Sequence, residues 1–344
     1  MRPFALDLSF YSATPGAVVA QAAPMAEKAG FDTLWFGEYY FYREASSVLG
    51  YIAALTNSIK LGSGTINIFT RHPSLIAMTA ATLDELSSGR FVLGIGYGGF
   101  PIMPLIGYNL LPLDQNKPLR RLRATIRAVN ALLASETVSE DEPYQMQGVK
   151  LSFQPGRSAI PVYIFSEGPM TIARSPRFAD GIVLAPGVKD PKTIAERVRM
   201  ARAAAQGAGK PDFDIATFVY TLVTKSKHES LEAIKRDPYF IYQLVEVVPP
   251  TAGMEVLEDA GMDQAAHQRL AEAWGRFDIE AAAAQIPDSV ADGFTLCGSP
   301  DDCLEKLSEL RRLGFSRVGL NLSPTQDMEL LVSSISPAIV EHTS

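Results

Sequence analysis

The stretch FALDLSFYSATPGAVVAQAAPMAEKAG, residues 4–30, holds one complete strand–helix unit. Phe4 to Phe10 reads as a strand. Thr14 followed by Pro15 has the chemistry of a helix start: a side-chain acceptor for a free backbone N–H, then a residue whose missing N–H costs nothing in the first turn. Val18, Ala22, Met25 and Ala29 recur at three- and four-residue steps and share one helical face. Gly30 can end the helix in the left-handed conformation, having no Cβ to clash.

The same order of signals recurs along the chain. Leu34-Trp35-Phe36 is a second strand, and Ile59 to Leu61 begins a third. Pro73 opens a helix with Ile76, Ala80 and Leu83 on one face, and Gly89 stops it. Phe91 to Ile95 is the fourth strand, and Pro118 opens a helix carrying Leu119, Leu122, Ile126, Val129 and Leu133. Val162 to Phe165 and Ile182 to Leu184 are the fifth and sixth strands. Asp190-Pro191 then opens a helix that ends near Gly207. Phe218 to Val223 is the seventh strand. Ser299-Pro300 opens a helix bearing Leu304, Leu307 and Leu310, closed by Gly314. Val318 to Leu322 is the eighth strand, and the tail after Pro324 is helical.

Strands that alternate with amphipathic helices pair in parallel through helical crossovers. Eight such units predict an α/β fold of the (β/α)8 TIM-barrel type, against the alternative of an open doubly wound sheet. At 344 residues the chain exceeds the roughly 250 of a bare barrel, which fits one domain over 1–344 with insertions. Two stretches break the rhythm. Residues 225–288 carry helical pieces and no clear strand, and are read as a helical insertion after strand 7, over the C-terminal mouth. Residues 136–160 join the fourth helix to the fifth strand.

Composition narrows the function. With 47% hydrophobic and 20% charged residues, a large core is available. The net charge of -7, without any Lys/Arg block, argues against a nucleic-acid partner. No window reaches the ~18 apolar residues of a membrane span, and the N-terminus lacks a signal-peptide pattern. Cys297 and Cys303, in a stretch read as a loop entering a helix, suit reduced thiols in a cytoplasmic protein.

Barrels of this kind build their sites from residues just past the C-terminal ends of the strands. That rule selects Ser9, Phe10 and Tyr11; Gly37 to Phe41; Gly64 to Asn67 with Phe69; Gly96 to Gly99; Ser166 to Pro169; Pro186; and Asn321. The set is rich in aromatics and glycines. It holds no His, no Cys and no carboxylate cluster, so metal hydrolysis and thiol catalysis are poor fits and no metal is expected. Aromatic walls with accessible backbone suit a large flat ligand. The glycines of GIGYGG, residues 94–99, either make a tight turn or let backbone approach a ring or phosphate. Glu38, at a strand end, would hydrogen-bond a ligand or orient a neighbour. Tyr39 would either donate to a substrate or pack against Phe41 and Trp35. His72, before Pro73, reads as a helix cap or solvent contact.

TRHPSLIAMTAATLDELSSGRFVLGIGYGG, residues 70–99, resembles the luciferase-like superfamily of FMN-linked monooxygenases and deazaflavin (coenzyme F420) reductases. GFDTLWFGEYY, LGSGTIN, IPVYIFSEGPMTIA with the following ADG, and FTLCGSPDDCLEKL extend the likeness over nearly the whole chain. The chain is most similar in pattern to the methylenetetrahydromethanopterin reductase-like group. The resemblance implies a (β/α)8 barrel and a homodimer or higher homo-oligomer. It implies that Gly64-Thr65 is a non-prolyl cis peptide behind the cofactor ring, with Glu38 and Asn67 near the ring's polar edge. Tyr97 and Gly98 would line the ring or tail, and Ser166, Glu167 and Gly168 would approach the tail. Two positions depart from the pattern. Many relatives have His after the acidic residue where this chain has Tyr39, and some have a carboxylate at the position of Gly99.

The expected activity is hydride transfer between coenzyme F420 and a small organic substrate bearing a C=N, C=C or C=O group, with Tyr39 and Glu38 as the catalytic pair. The alternatives are an FMN-dependent monooxygenase and a non-catalytic barrel that binds flavin or deazaflavin.

Overall fold

The computed structural model describes residues 4–97, 117–184, 191–249 and 253–340. Gly98, Gly99 and Pro186 lie outside the described residues.

Eight strands form the ring: β1 (Ala5–Phe10), β2 (Thr33–Phe36), β3 (Lys60–Ser63), β4 (Phe91–Gly96), β5 (Val162–Phe165), β6 (Gly181–Leu184), β7 (Asp214–Val223) and β8 (Arg317–Leu322). Each is parallel to its neighbours, and β8 pairs back onto β1 with Ala5 opposite Arg317, so the barrel closes. The outer layer is α1 (Gly16–Ala29), α2 (Ala45–Ala53), α3 (Pro73–Leu86), α4 (Pro118–Leu133), α5 (Pro169–Arg174), α6 (Pro191–Gly207), α7 (Pro300–Arg312) and α8 (Met328–Val340).

Several punctuation marks act as the sequence predicts. Gly30 ends α1 at φ 88°. His72 caps α3, its ring accepting from the Ser74 N–H. Ser299 and Asp302 form a reciprocal capping box on α7.

Others differ. Pro15, not Thr14, occupies the N-cap of α1, and the Thr14 hydroxyl is buried without a partner. The buried face of α1 is Val19, Ala22, Ala23 and Ala26, while Val18 is exposed. Val18 and Val19 are adjacent and equally apolar, so only the docking azimuth against the sheet chooses between them. Asn321 lies within β8 and not after it.

The interior is plugged by rings. Trp35, Tyr163, Phe165 and Phe218 pack edge-on or tilted at 5.4–5.9 Å between centroids. Glycines on neighbouring strands make the room. A Cβ on Gly62 would lie 2.2 Å from the Trp35 ring, and one on Gly319 2.5 Å from Phe218. Below the plug, at the N-terminal ends of the strands, Arg317 joins Asp7 and Asp32, each at 2.6 Å.

Residues 136–160 hold order that the sequence does not show, and residues 225–288 hold the helices it predicts. An antiparallel hairpin, Val138–Glu140 with Met146–Val149, lies within 136–160. After β7 the chain runs through helices Lys227–Lys235, Pro238–Tyr242, Glu255–Asp259, Gln264–Gly275, Ile279–Ala283 and Asp288–Phe294, with a π-helical turn at Gln243–Val247. It returns through a short strand, Thr295–Gly298, parallel to the last four residues of β7. Cys297 therefore sits in a strand, and Cys303 in α7; both are free and buried.

Candidate active site

Because the strands are parallel, their C-terminal ends share one mouth. Hydrogen bonding continues past the strand ends and fixes the rim: Gly37 N–H donates to Phe10 O and Gly64 N–H to Phe36 O, both at 2.9 Å. The backbones also approach closely, since a Cβ on Gly37 would stand 3.3 Å from the Gly64 carbonyl. The Gly64–Thr65 peptide bond is cis, as the resemblance implies. Gly64 and Thr65 are partly exposed between buried neighbours on both sides, directly above Phe165, whose ring would lie 3.4 Å from a Cβ on Gly64. The mouth thus has accessible backbone on an aromatic floor.

Asn67 is buried. Its Oδ1 accepts from Phe69 N–H at 2.8 Å, and its Nδ2 has no partner. An orphaned amide donor in a buried setting is costly unless a further acceptor engages it.

Glu38 is half-buried and does orient a neighbour. Arg71 grips it with two parallel bonds, Nε to Oε1 at 3.2 Å and Nη2 to Oε2 at 2.7 Å. The same Nη2 reaches Glu44 at 2.6 Å. Glu44 in turn caps α2 by accepting from Ser46 and Ser47 N–H. Burial pushes the Glu38 carboxyl above its ordinary value, and Arg71 opposes that shift.

Tyr39 does not pack on Phe41 and Trp35. Phe41 is 73% exposed, and Trp35 belongs to the barrel plug. Its hydroxyl instead meets that of Tyr242, from the insertion, with the rings edge-on at 6.2 Å. Tyr11 is the centre of this group, 4.3 Å from Tyr239, 5.5 Å from Tyr42 and 5.7 Å from Tyr39. Burial, and then the bond to Tyr242, hold the Tyr39 phenol well above its ordinary value, so it is neutral.

Tyr97, Ser166 and Glu167 are already engaged with the protein. Tyr97 shares a 3.0 Å hydrogen bond with Thr171 of α5. The Ser166 hydroxyl accepts from Gly168 N–H, and Glu167 pairs with Arg197 of α6 at 2.9 Å. Gly96 is a strand residue tucked against Phe165 and Thr65.

Arg71, Tyr239 and Tyr242 were not singled out from sequence. Arg71 lies in TRHP, inside the quoted family stretch, but arginine beside a helix start reads as surface. The tyrosines lie in PYFIY, whose aromatic density was a usable signal; its distance along the chain from the mouth hid it.

A family model described as luciferase-like monooxygenase matches residues 6–317. The chain is 31% identical to the 5,10-methylenetetrahydromethanopterin reductase of Archaeoglobus fulgidus, over 92% of this chain and 93% of that one. It is 29% identical to the enzyme of the same name from Methanolobus tindarius, over 93% and 95%. The solved coenzyme F420-dependent tetrahydromethanopterin reductase of Methanopyrus kandleri superposes with a TM-score of 0.85 at 23% identity, covering 99% of this chain and all of that one.

Proposed function

The chain belongs to the luciferase-like monooxygenase family, and from that premise we propose that its mouth is the active site of a coenzyme F420-dependent oxidoreductase acting on a small organic substrate. The residues fit such a group. Accessible backbone at Gly64 and Thr65 lies over a floor of rings, and the unpartnered Asn67 Nδ2 offers a donor to a heteroatom edge. That orphaned donor beside an open aromatic floor is the observation that carries the reading. When bound, the deazaflavin supplies or accepts a hydride.

The protein's own groups do the rest. Gly64, Thr65, Asn67 and Glu38 would hold the ring, with Tyr97 beside it and Ser166, Glu167 and Gly168 toward the tail. Glu38, with both oxygens gripped by Arg71, serves as a hydrogen-bond acceptor. The neutral Tyr39 hydroxyl can donate to substrate when Tyr242 turns its own proton toward Tyr39. The insertion, residues 225–288 of a single domain spanning 1–344, covers the mouth with Tyr239 and Tyr242 and limits the access of water.

Two further assignments belong to this reading. The first is a homodimer. Tyr51, Leu55, Leu75, Met78 and Leu86 are exposed on and beside α2 and α3, and residues 45–59 contain no charged side chain. A two-fold interface brings like against like, so a face dominated by exposed apolar side chains suits it. The second is a cytoplasmic location, supported by two unpaired buried thiols. Among the described residues no helix is long and apolar enough to cross a membrane.

Fluorescence quenching by coenzyme F420 and, separately, by FMN tests the assignment. Micromolar or tighter binding of the deazaflavin with FMN ignored is the expected result. Preference for FMN would replace the reading with that of an oxygen-using monooxygenase, and failure to bind either would remove the site.

A further inference from the structure

We propose that Arg71 is a positioning residue, whose guanidinium clamps Glu38 as a fixed, charged acceptor at the rim of the deazaflavin site and whose link to Glu44 anchors that clamp to α2. The inference rests on the placement of the ring at this mouth.

The geometry is that of a fork. The Nε–Nη2 edge of a guanidinium matches the two oxygens of one carboxylate, and both matched bonds are present at 3.2 and 2.7 Å. With both Glu38 oxygens held, the carboxylate cannot swing. Its remaining lone pairs keep one direction.

Three elements meet in the clamp. Glu38 follows β2. Arg71 precedes α3, and its own N–H donates to the Asn67 carbonyl at 3.2 Å, tying it to the segment that contains Gly64, Thr65 and Asn67. Glu44 is the N-cap of α2, where its carboxylate already accepts two backbone N–H groups. A movement of any one of these elements strains the other two.

Exposure makes the pair matter. The Arg71 and Glu38 side chains are only 17% and 15% exposed, so water screens their attraction less than that of a surface pair. The groups that act on Glu38 are Arg71, Glu44 and the Ala45 N–H, which donates to it. Without Arg71, Glu38 would keep its burial and its like-charged neighbour Glu44 and lose its cation. It would take up a proton, turn from acceptor to donor and lose its fixed direction. Lysine cannot substitute fully, because a point charge grips one oxygen and not two.

The test uses the full-length protein with Arg71→Met, Arg71→Lys and Glu38→Gln. Carboxyl carbon NMR of glutamate-labelled protein, with the Glu38 signal assigned by its loss in Glu38→Gln, reads the titration directly and needs no cofactor. Its midpoint should rise by about one to three pH units in Arg71→Met and by less in Arg71→Lys. Coenzyme F420 affinity, read by fluorescence, should weaken about tenfold in Glu38→Gln at pH above the wild-type Glu38 midpoint. In Arg71→Met it should weaken only on the acid side of the shifted midpoint. An unmoved midpoint in both Arg71 variants overturns the clamp. Wild-type affinity in Glu38→Gln overturns the role at the ring. Should wild-type protein fail to bind coenzyme F420 at all, the site assignment falls while the NMR titration still decides the clamp. Should Arg71→Met fail to fold, Arg71→Lys carries the same comparison.

Discussion

Asp7 shows how far one residue's chemistry departs from what its identity suggests. It is fully buried in β1, accepting from Trp35 Nε1 at 2.9 Å and Arg317 Nη1 at 2.6 Å. Burial pushes its carboxyl up to about 6 in spite of Arg317. The folded protein therefore binds a proton at Asp7 between about pH 4 and 6, where the unfolded chain has released it. Stability should fall as pH rises through that window, by roughly 3 kcal/mol at most, and level off above it. Asp32, held near 2 against its burial chiefly by Arg317, acts with the opposite sign and at lower pH. Thermal melts between pH 4 and 7.5 should show the fall in wild type and a flatter profile in Asp7→Asn. A wild-type profile that rises through the window would contradict the assignment. At the mouth, Glu38 and Tyr39 could be picked from sequence because both follow a strand end. Their partners Arg71 and Tyr242 could not, since a guanidinium or a phenol gains its role from what stands opposite it.

At the scale of elements, capping and breaking residues were readable because their physics is local. The capping box of Ser299 and Asp302 and the left-handed glycine after α1 need only their neighbours. The strand Thr295–Gly298 escaped notice because it is short and becomes a strand only beside β7, roughly seventy residues earlier. Asp237 ties the insertion to the barrel. Its Oδ1 accepts from Tyr239 and Phe240 N–H and so caps helix Pro238–Tyr242, while its Oδ2 accepts from Tyr220 of β7 at 2.7 Å and Ser323 after β8 at 3.0 Å. Replacing Asp237 with Ala removes a cap and two barrel ties and should cost about 2–3 kcal/mol locally. Hydrogen exchange in residues 238–247 should quicken while that of β1 and β4 stays unchanged. Protection retained in 238–247 would show that other contacts dock the insertion.

At the scale of the whole molecule, the apolar face on α2 and α3 carries the remaining prediction. Met78 is 48% exposed at its centre. Met78→Glu would place like charges across a two-fold axis and should convert a dimer to monomer in sedimentation velocity, with far-UV circular dichroism unchanged. A wild-type protein that sediments as a monomer would remove the dimer, and a mutant that remains dimeric would move the interface elsewhere.

The division between sequence and structure follows the range of the forces involved. Strand–helix alternation, helix ends, the closed eight-strand barrel and the family stretch at 70–99 were all set by local periodicity and by residues within one turn of each other. The sequence by itself therefore determined the architecture and the end of the barrel at which to look. Only the tertiary structure decided which face of α1 is buried, that Arg71 grips Glu38, and that Tyr242 meets Tyr39 across 203 positions of chain. Those contacts depend on the azimuth and docking of whole elements, which arise from packing the entire core and leave no periodic trace in any one segment.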